Sequence, residues 1–276
     1  MKYSLSTNWC NTWLHSGEEI ADKAIELGFS ELELGYNTTI EQVAGFKHRL
    51  DQIPVGSVHA FCPVPISAPN GYPELYQLAS FNDNARAIAR THTIRNIEFA
   101  ASMGADTLVM HCGRVDVTNL FGFVSKSARM KRGKKMMDIF FKQLEEIIPA
   151  LEKYHITLGM ENMPYPQGFP DENESAELIA HFKGAPIGVW YDTGHQKVRE
   201  ANKWVDAGWM PEVVGMHLND VHDFADEHLA PGMAKVDFKA LKSMLMKSPH
   251  IVFEPNSKIT EQELRNGIEV INEAIS

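Results

Sequence analysis

Six apolar runs in succession end in a residue able to bind a metal or move a proton: His59, His111, Glu161, Asp192, His217 and Glu254. Crowded against apolar surface, the three carboxylates among them repel one another and lose hydration. No lysine or arginine sits at those run ends. A divalent cation is therefore the expected compensating charge, with neutral imidazoles as co-ligands. A lone histidine at a strand end reads most simply as a hydrogen-bonded structural residue, whereas six such positions in a row read as a metal site. In Asp192-Thr193-Gly194-His195 the plain reading is a helix cap, with the histidine bonded to backbone. Beside the other run ends, His195 is expected in the pocket. Asp226-Glu227-His228, after the seventh run, reads equally as a solvated acidic loop or as a source of two further ligands, Asp226 and His228.

These residues need elements that bring them to one place. Eight short apolar runs, at 3–5, 29–34, 55–58, 106–110, 157–160, 187–191, 213–216 and 250–253, alternate with longer amphipathic stretches. The runs are mostly continuous in apolar character and rich in Val and Ile, as parallel strands buried on both faces are. Helices are expected at 16–28, 39–50, 82–103, 127–155, 174–183 and 197–207, then from near 238 and from 260. Ser16 with Glu19 three residues later has the spacing of a capping box, and Gly28 closes that helix. Eight strand–helix units in 276 residues predict an α/β (β/α)8 TIM barrel, one domain over residues 1–276. An open doubly wound sheet is the main rival. It would usually carry a glycine-rich phosphate loop after the first strand, where Ser6-Thr7-Asn8-Trp9 stands instead. In a barrel the strand C-termini converge on one face, so the six run-end side chains share one pocket there.

A formal charge of −10 supplies no overall basic field for nucleic acid or an anionic membrane, so neither partner is expected. No apolar run approaches a membrane span. The opening residues lack an apolar signal core, and three cysteines, Cys10, Cys62 and Cys112, are too few for a disulfide framework, so a cytoplasmic protein is expected. Pairing Cys112 with the adjacent His111 as nucleophile and base is disfavoured, because neighbouring strand residues face opposite sides. His48, His92, His155, His181 and His250 read as structural or solvated, while His15 and His222 stay open. The basic run Arg129, Lys131, Arg132, Lys134 and Lys135 reads as a solvated helix face, or as a phosphate handle at the rim.

Four segments resemble the xylose isomerase-like barrel superfamily: Val109-Met110-His111-Cys112-Gly113, Met160-Glu161-Asn162, Tyr191-Asp192-Thr193-Gly194-His195 and His217-Leu218-Asn219-Asp220. That superfamily includes sugar-phosphate isomerases and epimerases and the endonuclease IV type of AP endonuclease. The resemblance implies a metal quartet of Glu161, Asp192, His217 and Glu254, with the two glutamates flanking the substrate carbon. The run 226–232 resembles the loop of many sugar isomerase homologues, with Ala234 where a second glycine is normal. The endonuclease IV branch holds three zinc ions with nine ligands. Counterparts of all nine types stand here at His59, His111, Glu161, Asp192, His195, His217, Asp226, His228 and Glu254. Its DNA-contact motifs do not: Ala60-Phe61-Cys62-Pro63, Val221-His222 and Gly194 replace them.

The reading that follows is a divalent-metal-dependent isomerase or epimerase of a small sugar, sugar phosphate or related polyol, working through an enediolate. One ion (Mn, Co, Mg or Zn) serves it, Glu161 and Glu254 exchange the proton, and His195 contacts the substrate or a ligand. The alternative is a phosphodiesterase of the endonuclease IV type with up to three zinc ions. A dehydratase using the same enolate, or a ligand-binding homologue without turnover, also fits the residues. A homo-oligomer is compatible with the resemblance.

Overall fold

A computed structural model describes residues 1–66, 68, 71–115, 125–203 and 213–276. Eight strands form a closed parallel barrel: β1 (Ser4–Ser6), β2 (Glu31–Leu34), β3 (Val55–His59), β4 (Thr107–Met110), β5 (Thr157–Glu161), β6 (Ile187–Asp192), β7 (Val213–Leu218) and β8 (Ile251–Phe253). Each pairs with its neighbour in the chain, and β8 closes on β1. The helices are α1 (Gly17–Leu27), α2 (Ile40–Lys47), α3 (Asp83–Ser102), α4 (Lys126–Tyr154), α5 (Glu172–His181), α6 (Thr193–Ala201), α7 (Lys242–Lys247) and α8 (Glu261–Ile275). Among the described residues no helix is long and apolar enough to cross a membrane.

Local chemistry accounts for most boundaries. Ser16 and Glu19 make the reciprocal capping box that opens α1, and Gly28 leaves it in the left-handed conformation at φ 92°. Thr39 with Gln42 and Thr260 with Glu263 open α2 and α8 in the same way. Several expected boundaries move, and the second helix ends at Lys47, not 50. The sixth helix begins at Thr193, not 197, because the Asp192 side chain accepts the His195 N–H and caps it directly. It ends at Ala201, short of the expected 207, and residues 204–212 lie outside the described residues, as do 67, 69 and 70 of the loop after β3 and 116–124 of the loop after β4. The seventh helix starts at Lys242, about a turn later than expected.

Side chains alternate across each strand. Leu108, Met110, Tyr191, Met216 and Phe253 belong to the main apolar core, while Val109, Trp190 and Val252, with Val214, form a separate cluster from four strands that fills the barrel. A Cβ at Gly215 on β7 would collide with the Trp190 ring, so that glycine makes the room the indole occupies. Burial of each such side chain contributes about 1.5–3 kcal/mol. The ring lies 5.2 Å from His217, centroid to centroid, so this apolar plug lies directly against the polar layer.

A two-stranded antiparallel ribbon, Gly113–Arg114 with Gly168–Phe169, joins the loops after β4 and β5. Arg129 of the basic run belongs to neither expected class. It is buried, and its guanidinium donates to the Pro166 and Gly168 carbonyls and to Glu174, so its charge fastens the loop after β5. Lys131, Arg132, Lys134 and Lys135 are exposed on α4.

Candidate metal centre

The barrel brings all nine candidate ligands to the C-terminal mouth, in three groups. Glu161, Asp192, His217 and Glu254 form one; His59, His111 and Glu161 a second; His195, Asp226 and His228 a third. Within each, one donor atom per residue lies within 4.8 Å of the others. Register explains the first group, since Asp192 pairs with His217 across β6 and β7, and Val252, two residues before Glu254, pairs with His217 across β7 and β8.

Four of the five histidines make a contact through each ring nitrogen. His59 Nδ1 donates to the Ala60 carbonyl at 2.9 Å, leaving Nε2 facing Glu161 at 3.1 Å. His195 Nδ1 donates to the Asn162 carbonyl at 2.7 Å, leaving Nε2 on Asp226 at 3.2 Å. His228 Nδ1 donates to the Glu254 carbonyl at 2.9 Å, and its Nε2 faces Asp226. His217 is reversed: Nε2 lies 3.0 and 3.1 Å from the two oxygens of Glu33, and Nδ1 faces Glu161 and Glu254 at 3.2 and 3.1 Å. An imidazole whose outer nitrogen donates to a fixed acceptor presents the inner nitrogen as a lone pair, as metal ligation requires. His111 points Nε2 at Glu161 at 3.2 Å, while its buried Nδ1 has no hydrogen-bond partner and Glu74 stands 4.0 Å away.

Without an ion, protons fill the same role. Burial works against the charged form of His217, but Glu254, Glu33 and Glu161 outweigh it and raise the imidazole well above its usual value. The same opposition, with Asp192 and Asp226 as the opposing charges, pushes His195 up to about 10. Burial pushes the Glu161 carboxyl up, and His217 and His111 overcome it, holding the group well below the usual carboxylate range. Asp192 is the exception: burial, with Glu161 adding to it, raises its carboxyl despite His195. Anions this close, beside ring nitrogens that are already oriented, form groups that could hold divalent cations.

Outer residues hold these ligands still. Asn162 bonds both backbone polar groups of Asp192, at 2.6 Å to the N–H and 3.1 Å to the carbonyl, and Asn219 donates to Asp192 Oδ2 at 2.6 Å. The buried Asp220 carboxylate accepts N–H bonds from Val221, Gly232, Ala234 and Val236 at 2.8 to 3.1 Å, gathering the loop that carries Asp226 and His228. Sequence reasoning passed over Glu33, although a carboxylate in an apolar run was a signal. Tyr36, Asn37 and Tyr72, which line the cavity above the groups, were also missed and carried no motif. His15 and His222 are exposed, the latter on Glu227, and His250 pairs with Asp106 at 2.8 Å near the start of β4. Cys112 is buried with its thiol on the Met110 carbonyl, away from any base role for His111.

A closed eight-stranded parallel barrel with histidine and carboxylate side chains clustered at its C-terminal mouth defines the class. The chain belongs to the xylose isomerase-like TIM barrel family, whose model matches residues 21–274. An uncharacterised protein of Methanocaldococcus jannaschii, MJ1311, is 23% identical over 215 residues, covering 72% of this chain and 68% of its own length. Among solved structures, a D-tagatose 3-epimerase-like protein superposes with a TM-score of 0.68 at 21% identity over the whole of both chains. The IolI protein, solved with a bound zinc atom, superposes with a TM-score of 0.68 at 15% identity over 100% of this chain and 98% of its own.

Proposed function

We propose that this protein is a divalent-metal-dependent enzyme that isomerises or epimerises a small sugar or related polyol by moving a proton through an enediolate. The observation that carries this reading is the position of the four-donor group: two of its carboxylates, Glu161 and Glu254, line a cavity of ≈ 390 Å³. That size suits a single small molecule. One ion held by Glu161, Asp192, His217 and Glu254 would supply Lewis acidity toward a substrate carbonyl. Glu161 and Glu254 are the proton carriers, one removing the proton alpha to the carbonyl and the other returning it. Asn8 donates to Glu254 Oε1 at 3.2 Å and holds that carboxylate's orientation. His195, tied to Asn162, presents Nε2 at the cavity wall for a substrate oxygen or a ligand. The epimerase-like neighbour supports sugar chemistry, and the zinc-bound neighbour supports an ion. Glu254→Gln is expected to retain the fold and to lose most deuterium incorporation from solvent into a bound ketose. Full exchange in that variant removes Glu254 from the mechanism.

A second reading has one specific observation in its favour. The nine residues divide into three groups that could each hold an ion, two of them sharing Glu161, which suits a trinuclear zinc phosphodiesterase of the endonuclease IV type. Ion count separates the two. One retained ion with carbon–hydrogen exchange supports the isomerase, whereas three retained zinc ions with phosphodiester cleavage supports the hydrolase.

A further inference from the structure

Beside the candidate metal groups, the cavity wall carries polar atoms with no protein partner among the described residues. Tyr36 and Asn37 follow β2, and both line the cavity. Tyr36 sets its ring edge against His59, 5.2 Å between centroids, and its hydroxyl makes no hydrogen bond among the described residues. Asn37 Oδ1 is buried without a hydrogen-bond partner. Gly71, at φ 64°, packs so closely on Asn37 and the Tyr36 carbonyl that any Cβ there would collide with both. The loop carrying Tyr72 is thereby folded down onto this pair. A buried acceptor without a partner is costly, and beside it the half-buried Tyr36 carries a hydroxyl able to donate, so a ligand bearing hydroxyl groups can meet both.

The charge of the wall narrows the ligand. None of the described lining residues is lysine or arginine. Arg114 acts on Tyr72 from the rim but does not line the cavity. Five carboxylates, Glu33, Glu161, Asp192, Asp226 and Glu254, surround the groups. A phosphate ester would find no ammonium or guanidinium partner among the described lining residues, whereas a neutral hydroxylated molecule needs none.

We propose that Tyr36 and Asn37 form a recognition subsite, donor beside acceptor, for hydroxyl groups of an uncharged sugar or polyol, and that phosphorylated sugars are excluded. The subsite rests on the isomerase or epimerase reading of the cavity. Its test is ligand-detected NMR titration of the metal-loaded protein with D-tagatose, D-fructose and their 6-phosphate esters. The free ketoses are expected to bind and the esters not to. Tyr36→Phe and Asn37→Ala should each weaken ketose binding about 10-fold with unchanged metal content. Asn37→Asp keeps an acceptor in place and should restore most of that loss. Esters binding as well as the free ketoses, neither ketose binding, or wild-type affinity in both Tyr36→Phe and Asn37→Ala would overturn the subsite. Ketose binding without solvent-deuterium exchange leaves the subsite standing and removes the isomerase reading.

Discussion

Glu33→Gln probes the outer support of the metal groups without touching a ligand. Both Glu33 oxygens lie within 3.1 Å of His217 Nε2, Ser57 Oγ donates to the same carboxylate at 2.8 Å, and Glu33 and His217 are fully buried. The carboxylate fixes His217 as the Nε2–H tautomer and makes Nδ1 a stronger donor to a cation. Glutamine keeps the size and one acceptor but removes the charge, and its NH2 can turn toward Nε2 and disturb that tautomer. Losing an outer carboxylate of this kind costs about 10–100-fold in metal affinity. That is roughly 1.4–2.7 kcal/mol, taking 1.36 kcal/mol per decade. Competition titration of Mn²⁺ or Zn²⁺ against a chelator of known affinity measures it, with circular dichroism of the ion-free variant as the fold control. A folded Glu33→Gln protein that binds metal within about two-fold of wild type refutes the reasoning, because His217 would then be oriented without its partner.

Asp220→Asn should loosen the loop that carries Asp226 and His228, since an amide oxygen cannot hold all four N–H donors; a loss of about 1–3 kcal/mol is expected by denaturant unfolding, with faster amide exchange across 221–236. Unchanged exchange rates would count against Asp220 as the organiser. Gly215→Ala forces a methyl into the Trp190 ring and should cost about 1–3 kcal/mol in unfolding free energy. A wild-type midpoint in that variant would mean the indole has spare room. The raised His195 pKa predicts a pH effect on the ion-free protein. A histidine titrating near 10 when folded, against 6.5 when unfolded, stabilises the fold fully below 6.5 and loses that contribution as pH rises through 10. The stability gap between wild type and His195→Gln should therefore shrink from pH 6 to pH 10 in thermal melts, and a gap that widens would contradict it.

Residue order alone determined a good deal. Strands buried on both faces must be apolar throughout, so eight Val- and Ile-rich runs could be counted along the chain. Helix starts such as Ser16–Glu19 are closed by bonds three residues apart and are legible wherever they occur. His59, His111, Glu161, Asp192, His217 and Glu254 stood out because a polar residue at the end of an apolar run has few bland explanations. What tertiary structure decided are contacts across the barrel. Glu31-Leu32-Glu33-Leu34 reads locally as an alternating strand, and only barrel closure turns Glu33 onto His217, 184 positions away. Arg129 looked like one more solvated charge until the loop after β5 supplied carbonyls for it. The division of nine ligands into three groups, and the unpaired atoms of Tyr36 and Asn37, likewise depend on strand register and on how loops fold over the mouth. Those distances arise from long-range packing, which no local spacing encodes.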